Sequence, residues 1–205
     1  MEQTLILLSI GFPWLGAVVA WLLRNEQERA QHASAVGFSV AGGLASLALI
    51  PYAGSGVALR VPIGGLFGDM TFVADGLGVF LGAVATVVGS LAVIFSVSYM
   101  HGDPQLGRYY FQVLLFIGAM VGLVLSNSML FLFFFWEITA LCSYALISYY
   151  NDDPKAVYAG IEALIMTQLG GVGLLAGALV VYALFGSYEI DAFLKSAAIM
   201  GPTPL

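Results

Sequence analysis

The sequence predicts an all-α integral membrane protein of about six transmembrane helices. A small extramembrane hairpin is expected between helices 2 and 3, and a short interfacial helix near the C-terminus. Three observations carry this. Of 205 residues, 60% are hydrophobic and only 9% are charged, whereas soluble domains carry about 25% charged residues. The mean hydropathy is +0.97, so lipid must be the solvent and the backbone must satisfy itself inside helices or a closed barrel. The apolar runs are about 17–30 residues long and do not alternate, which fits spanning helices and not barrel strands.

The elements follow in order. Helix 1 is expected over 4–23, with Pro13 as a kink, and a polar link, 24–29, follows it. Helix 2 covers 33–51, and its Gly37, Gly42 and Gly43 suit close packing in lipid. The segment 52–74 is rich in glycine, with β-prone stretches at 57–63 and 70–73, and reads as the hairpin. Asp75 stands where an N-cap belongs, ahead of helix 3 at 76–100. Helix 4 covers 109–125, and the short break Ser126-Asn127-Ser128 makes helix 5, at 129–150, its antiparallel neighbour. Pro154 opens helix 6, at 155–185, where a first-turn proline is tolerated. Residues 188–200 form the interfacial helix, and the whole of 1–205 reads as a single transmembrane domain.

Charge decides little about partners. The net charge is −6, but the acids are scattered. No basic cluster points to nucleic acid, and no strand followed by a GxGxxG turn points to a nucleotide. No cofactor is implied and no metal site is expected. The single cysteine, Cys142, lies within an apolar run and reads as a small buried hydrophobe. The N-terminal Met1-Glu2-Gln3 lacks the basic region of a signal peptide, so helix 1 is expected to be retained. Arg24, Arg29, Arg108 and Lys155 lie in links on one side, against Arg60 and Lys195 on the other. The excess of positive charge predicts that the N-terminus is outside the cell membrane.

Glu137 is the most informative residue, set in Phe133-Phe134-Phe135-Trp136-Glu137-Ile138-Thr139. It lies roughly 12 Å from the start of helix 5 at 1.5 Å per residue, near mid-membrane. A charged residue there costs at least about 2.5–3.5 kcal/mol and normally faces a bundle interior or a water-filled path. Tyr144 and Ser148 fall on the same helix face, making a sparse polar stripe. Glu162, about 9–10 Å into helix 6, is a second candidate, on the face of Lys155 and Tyr158, and pairs with Lys155 if it is structural. His32 and His101 fall in or beside links and read as solvated, with His101 a candidate proton entrance. The run 131–136 reads as lipid-facing or packing surface, and the helix 6 glycines as packing contacts, with Gly170-Gly171 a candidate local break. Intramembrane hydrolase chemistry finds no support, since no histidine is placed in a helix and no paired mid-membrane aspartates occur.

Several short motifs occur in order: Asp75-Gly76-Leu77-Gly78, Ser96-Val97-Ser98-Tyr99-Met100, Arg108-Tyr109-Tyr110, Phe135-Trp136-Glu137, Cys142-Ser143-Tyr144-Ala145-Leu146-Ile147 and Asp153-Pro154-Lys155. Over about 70–195 they resemble the antiporter-like subunits of respiratory complex I, membrane-bound hydrogenases and multisubunit Mrp Na⁺/H⁺ antiporters. The large A-type Mrp subunit looks nearest. The resemblance implies that Glu137 is the fifth-helix glutamate used in proton translocation. It also implies a partner lysine on a seventh helix, beyond this chain. Many relatives carry a basic residue where Glu162 stands. The ending 201–205 resembles a linker into a further helix, so the chain is expected to be the N-terminal part of a larger or split subunit. The expected function is that of a proton-translocating subunit of a cation/proton antiporter, and no catalytic chemistry is seen. Its partners would be the bilayer, protons and Na⁺, and other membrane subunits, one supplying the later helices. The alternatives are a proton-pumping subunit of a complex I or hydrogenase assembly, and a scaffold without its own proton path.

Overall fold

The computed structural model describes residues 2–23, 27–56 and 58–200. Among the described residues, six helices are long and apolar enough to cross a membrane, and a short helix follows them. They are α1 (Glu2–Leu22), α2 (Glu28–Leu47), α3 (Gly76–Tyr99), α4 (Leu106–Leu125), α5 (Met129–Ile147), α6 (Pro154–Phe185) and α7 (Ile190–Met200). The predicted class therefore stands.

The first four spanning helices close on one another: α1 packs on α2 and α4, and α3 on α2 and α4. Lipid tails supply no hydrophobic drive between helices, so close backbone approach and hydrogen bonds must hold them. Glycine provides the approach. A Cβ on Gly42 would come within 2.8 Å of Pro13, and one on Gly89 within 2.7 Å of Ile117. Between the helices, Ser90 donates to the Ser39 carbonyl at 3.0 Å and Trp14 to the Leu115 carbonyl at 3.2 Å. Helix α5 then packs on α4, and α6 on α5, so the bundle extends as a row on one side. Most of α6 is left uncovered, with Tyr158, Met166, Leu169 and Leu184 each at least two-thirds exposed.

Sequence chemistry sets several ends. Asp75 accepts a hydrogen bond from the Gly78 N–H at 2.6 Å, capping α3 as expected. Asp153 accepts from the Lys155 N–H at 2.9 Å, with Pro154 in the first turn of α6. Gly186, at φ +68°, ends α6 in the left-handed region open to glycine. Strands β1 (Ala58–Val61) and β2 (Met70–Val73) pair antiparallel, Ala58 opposite Val73. Val57, included in the first β-prone stretch, lies outside the described residues, as do Arg24 and 201–205. The 126–128 break is stitched to both neighbours: the Asn127 N–H donates to the Thr71 carbonyl at 2.8 Å, and the Ile190 N–H to the Asn127 carbonyl at 2.9 Å. Arg60 hydrogen-bonds Glu189 and lies 3.8 Å from Asp69, fastening the strand pair to the start of α7.

Some boundaries differ from the sequence reading. Helix α2 starts at Glu28, not 33, because Gln31 and His32 in its first turns are buried and find partners at the α1 end and on α4. Gln31 donates to the Leu23 carbonyl at 3.0 Å, and His32 meets the Tyr110 hydroxyl at 2.6 Å. His32 is therefore not a solvated link residue: it is 8% exposed and sits within a spanning helix. Helix α4 starts at Leu106, and α5 ends at Ile147. Tyr149, placed in helix 5 by sequence, instead turns inward and donates to Asp103 at 2.6 Å. Helix α6 runs unbroken through Gly170-Gly171, so the candidate break is absent.

Candidate functional site

Glu137 is the ninth residue of α5, about 12 Å from the start of the helix and 15 Å from its end. Because α5 ends early, the acid lies closer to the middle of the helix than the sequence places it. It is half-buried and turned toward α6. Gln168 of α6 donates to its Oε2 at 2.6 Å. Its other oxygen, Oε1, is buried with no hydrogen-bond partner among the described residues.

One turn past Gln168, Gly171 leaves the space that Oε1 occupies: a Cβ there would strike it, and would also come within 3.7 Å of the Phe133 ring. A glutamine and a glycine three residues apart face the same way on a helix. Together they make a notch on α6 shaped to the carboxyl group. One oxygen is held by an amide, and the other is open to a proton, a water or a charged partner. The surrounding phenylalanines divide by face. Phe135 is buried between Trp14 and Phe72, while Phe134 is about half exposed.

Of the remaining candidates, Ser148, Glu162 and Lys155 are not gathered around Glu137, and Tyr144 is half-buried. Ser148 lies past the end of α5 and donates to the Tyr144 carbonyl at 2.7 Å, so its hydroxyl is spent on its own helix. Gly160 of α6 packs there, so closely that a Cβ on it would lie only 2.9 Å from Ser148 Cβ. The polar stripe is thus closed off by α6 at the Ser148 end. Glu162 and Lys155 are exposed, and no ion pair joins them among the described residues. The reason is angular. Gly160, Gly171 and Ala178 face α5, and Glu162, two residues from Gly160, points to the opposite side. Gln168 is a site residue that the sequence reading does not single out. Its signal is a lone amide within Leu164-Ile165-Met166-Thr167-Gln168-Leu169, since a polar group at that depth needs a partner.

Two family models match along the chain. "NADH:quinone oxidoreductase/Mrp antiporter, TM" matches 126–203, which holds both Glu137 and its notch, and "NADH-Ubiquinone oxidoreductase (complex I), chain 5 N-terminus" matches 61–110. Both matched stretches are thus similar to antiporter-like membrane subunits. Among curated proteins, the chain is 35% identical to the Na(+)/H(+) antiporter subunit A1 of Staphylococcus haemolyticus over 131 residues, 64% of this chain and 16% of that protein. The match to the Staphylococcus aureus A1 subunit is also 35%, over 130 residues, again 16% of its length. The chain thus spans about one-sixth of these antiporter subunits. The fold is shared with the Mrp complex of a Dietzia species (TM-score 0.81, 24% identity, 92% of this chain and 20% of that one). It is shared too with the membrane-bound sulfane sulfur reductase, an archaeal respiratory membrane complex (TM-score 0.78, 24% identity, 98% and 31%).

Proposed function

We propose that the chain is a proton-translocating part of a multisubunit Na⁺/H⁺ antiporter, with Glu137 as the residue that takes up and releases the proton. One observation carries the reading: a mid-helix acid seated in the Gln168–Gly171 notch, with one oxygen bonded and the other buried without a partner among the described residues. A purely structural acid would be expected to have both oxygens satisfied, since an orphaned buried polar atom costs about 1–3 kcal/mol. The similarity to A1 antiporter subunits supports Na⁺ as the coupled ion.

The open oxygen calls for water or a basic side chain from outside this segment. The uncovered side of α6 is where a following helix or a neighbouring subunit would pack, and Glu162 and Lys155 face that side. On this reading they contact the partner and do not belong to the Glu137 site. The assembly lies in the cell membrane, with the N-terminus of this chain outside.

The test is Na⁺-dependent proton movement in inverted vesicles that hold the whole complex, comparing wild type with Glu137→Gln. The substitution keeps size and removes the titratable proton. Exchange is expected to be abolished while blotting shows intact assembly. Unchanged exchange would make the acid structural and the chain a scaffold.

A further inference from the structure

At the end of the bundle where α2 and α4 begin, three side chains converge away from Glu137. Glu28 opens α2, His32 lies one turn later, and His101 stands in the link between α3 and α4. Glu28 Oε1 is 2.7 Å from His101 Nδ1 and 3.3 Å from His32 Nε2, and all three ligand atoms lie within 4.8 Å of one another. The same oxygen accepts the Gly102 N–H at 2.9 Å. These are the only two histidines of the chain. The fold brings both to a single carboxylate oxygen, although Glu28 and His101 stand 73 residues apart.

We propose that Glu28, His32 and His101 form a binding site for a divalent transition-metal ion of the zinc class. Ligands about 2.0–2.1 Å from a tetrahedral ion lie roughly 3.3 Å from one another. The His32 separation matches that spacing and the His101 separation is about 0.6 Å short of it, so side-chain rotations would bring the atoms to ligating distance. Two imidazoles and one carboxylate are a donor set suited to Zn²⁺, with water in the fourth position. The His101 side chain is 78% exposed, which gives the ion a route from water, while His32 anchors the buried side.

The outer partner is in place as well. A ligating histidine normally turns its other ring nitrogen to a fixed oxygen. His32 Nδ1 lies 2.6 Å from the hydroxyl of Tyr110, a fully buried residue of α4. With the ion on Nε2, Nδ1–H donates to Tyr110. The ion would then tie the start of α2 to the α3–α4 link and, through Tyr110, to α4.

The experiment is titration of the full chain, purified in detergent through a tag free of histidine, with Co²⁺ read by its visible absorption and then displaced by Zn²⁺. One equivalent is expected, with affinity falling as the medium is acidified, since protons and metal compete for the same ligand atoms. His101→Ala removes an exposed side chain and leaves the packing intact. It should weaken binding at least tenfold, as should Glu28→Gln. Tyr110→Phe should weaken it by about 10–100-fold, the usual cost of losing such an outer partner. Equal affinity in wild type and His101→Ala, no response to Tyr110→Phe, or no saturable binding would each overturn the site.

Discussion

At the scale of single residues, the carboxyl notch makes separable demands. Gln168→Leu removes the donor to Glu137 seen among the described residues, an interhelical bond worth about 0.6–1.7 kcal/mol in a membrane interior. Exchange should fall well below wild type yet remain above that of Glu137→Gln, and thermal stability of the detergent-solubilised complex should drop slightly. Gly171→Ala tests space instead of bonding, because the added methyl would collide with Oε1. It should impair exchange as strongly as Gln168→Leu, whereas Gly173→Ala, with open space around its Cβ position, should be silent. Equal effects at both glycines would argue against the notch. Glu137 is legible in the sequence because an acid inside an apolar run declares its own cost. Gln168 and Gly171 are not. A lone amide in an apolar run asks for a partner, but which one it finds, and which glycine makes room beside it, appears only when the 31 residues separating Gln168 from Glu137 are folded away.

At the scale of elements, apolar length sets which helices form, and polar satisfaction sets where they stop. Local pattern ends an apolar helix at the first polar cluster, and so assigns Gln31 and His32 to a link. Both are buried because carbonyls of the α1 end and the Tyr110 hydroxyl receive them, contacts between segments that no local pattern displays. Tyr149 shows the reverse. It reads as the end of a helix, yet leaves α5 to bond Asp103, and the Arg108 guanidinium lies 5.5 Å from its ring centre. Burial first, and the Asp103 bond second, hold its phenol well above the ordinary tyrosine range. The neutral phenol thus stabilises the folded state at pH values below the unfolded value of about 10, and no charge forms on it until pH rises through the folded one. The difference in thermal midpoint between wild type and Tyr149→Phe should be constant below about pH 10 and should change above it, since only the wild-type unfolded chain gains a charge there. Identical pH profiles would place the phenol in water.

At the scale of the whole molecule, six alternating spans give the bundle two ends with different chemistry. One end carries the first turns of α2, α4 and α6, with Arg29, Arg108 and Lys155 and the Glu28–His101 cluster. The other carries the β1–β2 pair, the 126–128 stitch and the start of α7, with Arg60 held by Glu189 and Asp69. The positive end should stay in the cytoplasm. Cys142 is buried and free, so it should remain silent to a membrane-impermeant maleimide applied to intact cells. On that background, Ser55→Cys, at an exposed position beside the strand pair, should label from outside. Asp152→Cys, exposed in the link before α6, should label only after the membrane is permeabilised. The opposite pattern would invert the bundle. It would put the proposed metal site outside the cell and reverse the side from which Glu137 is charged with its proton.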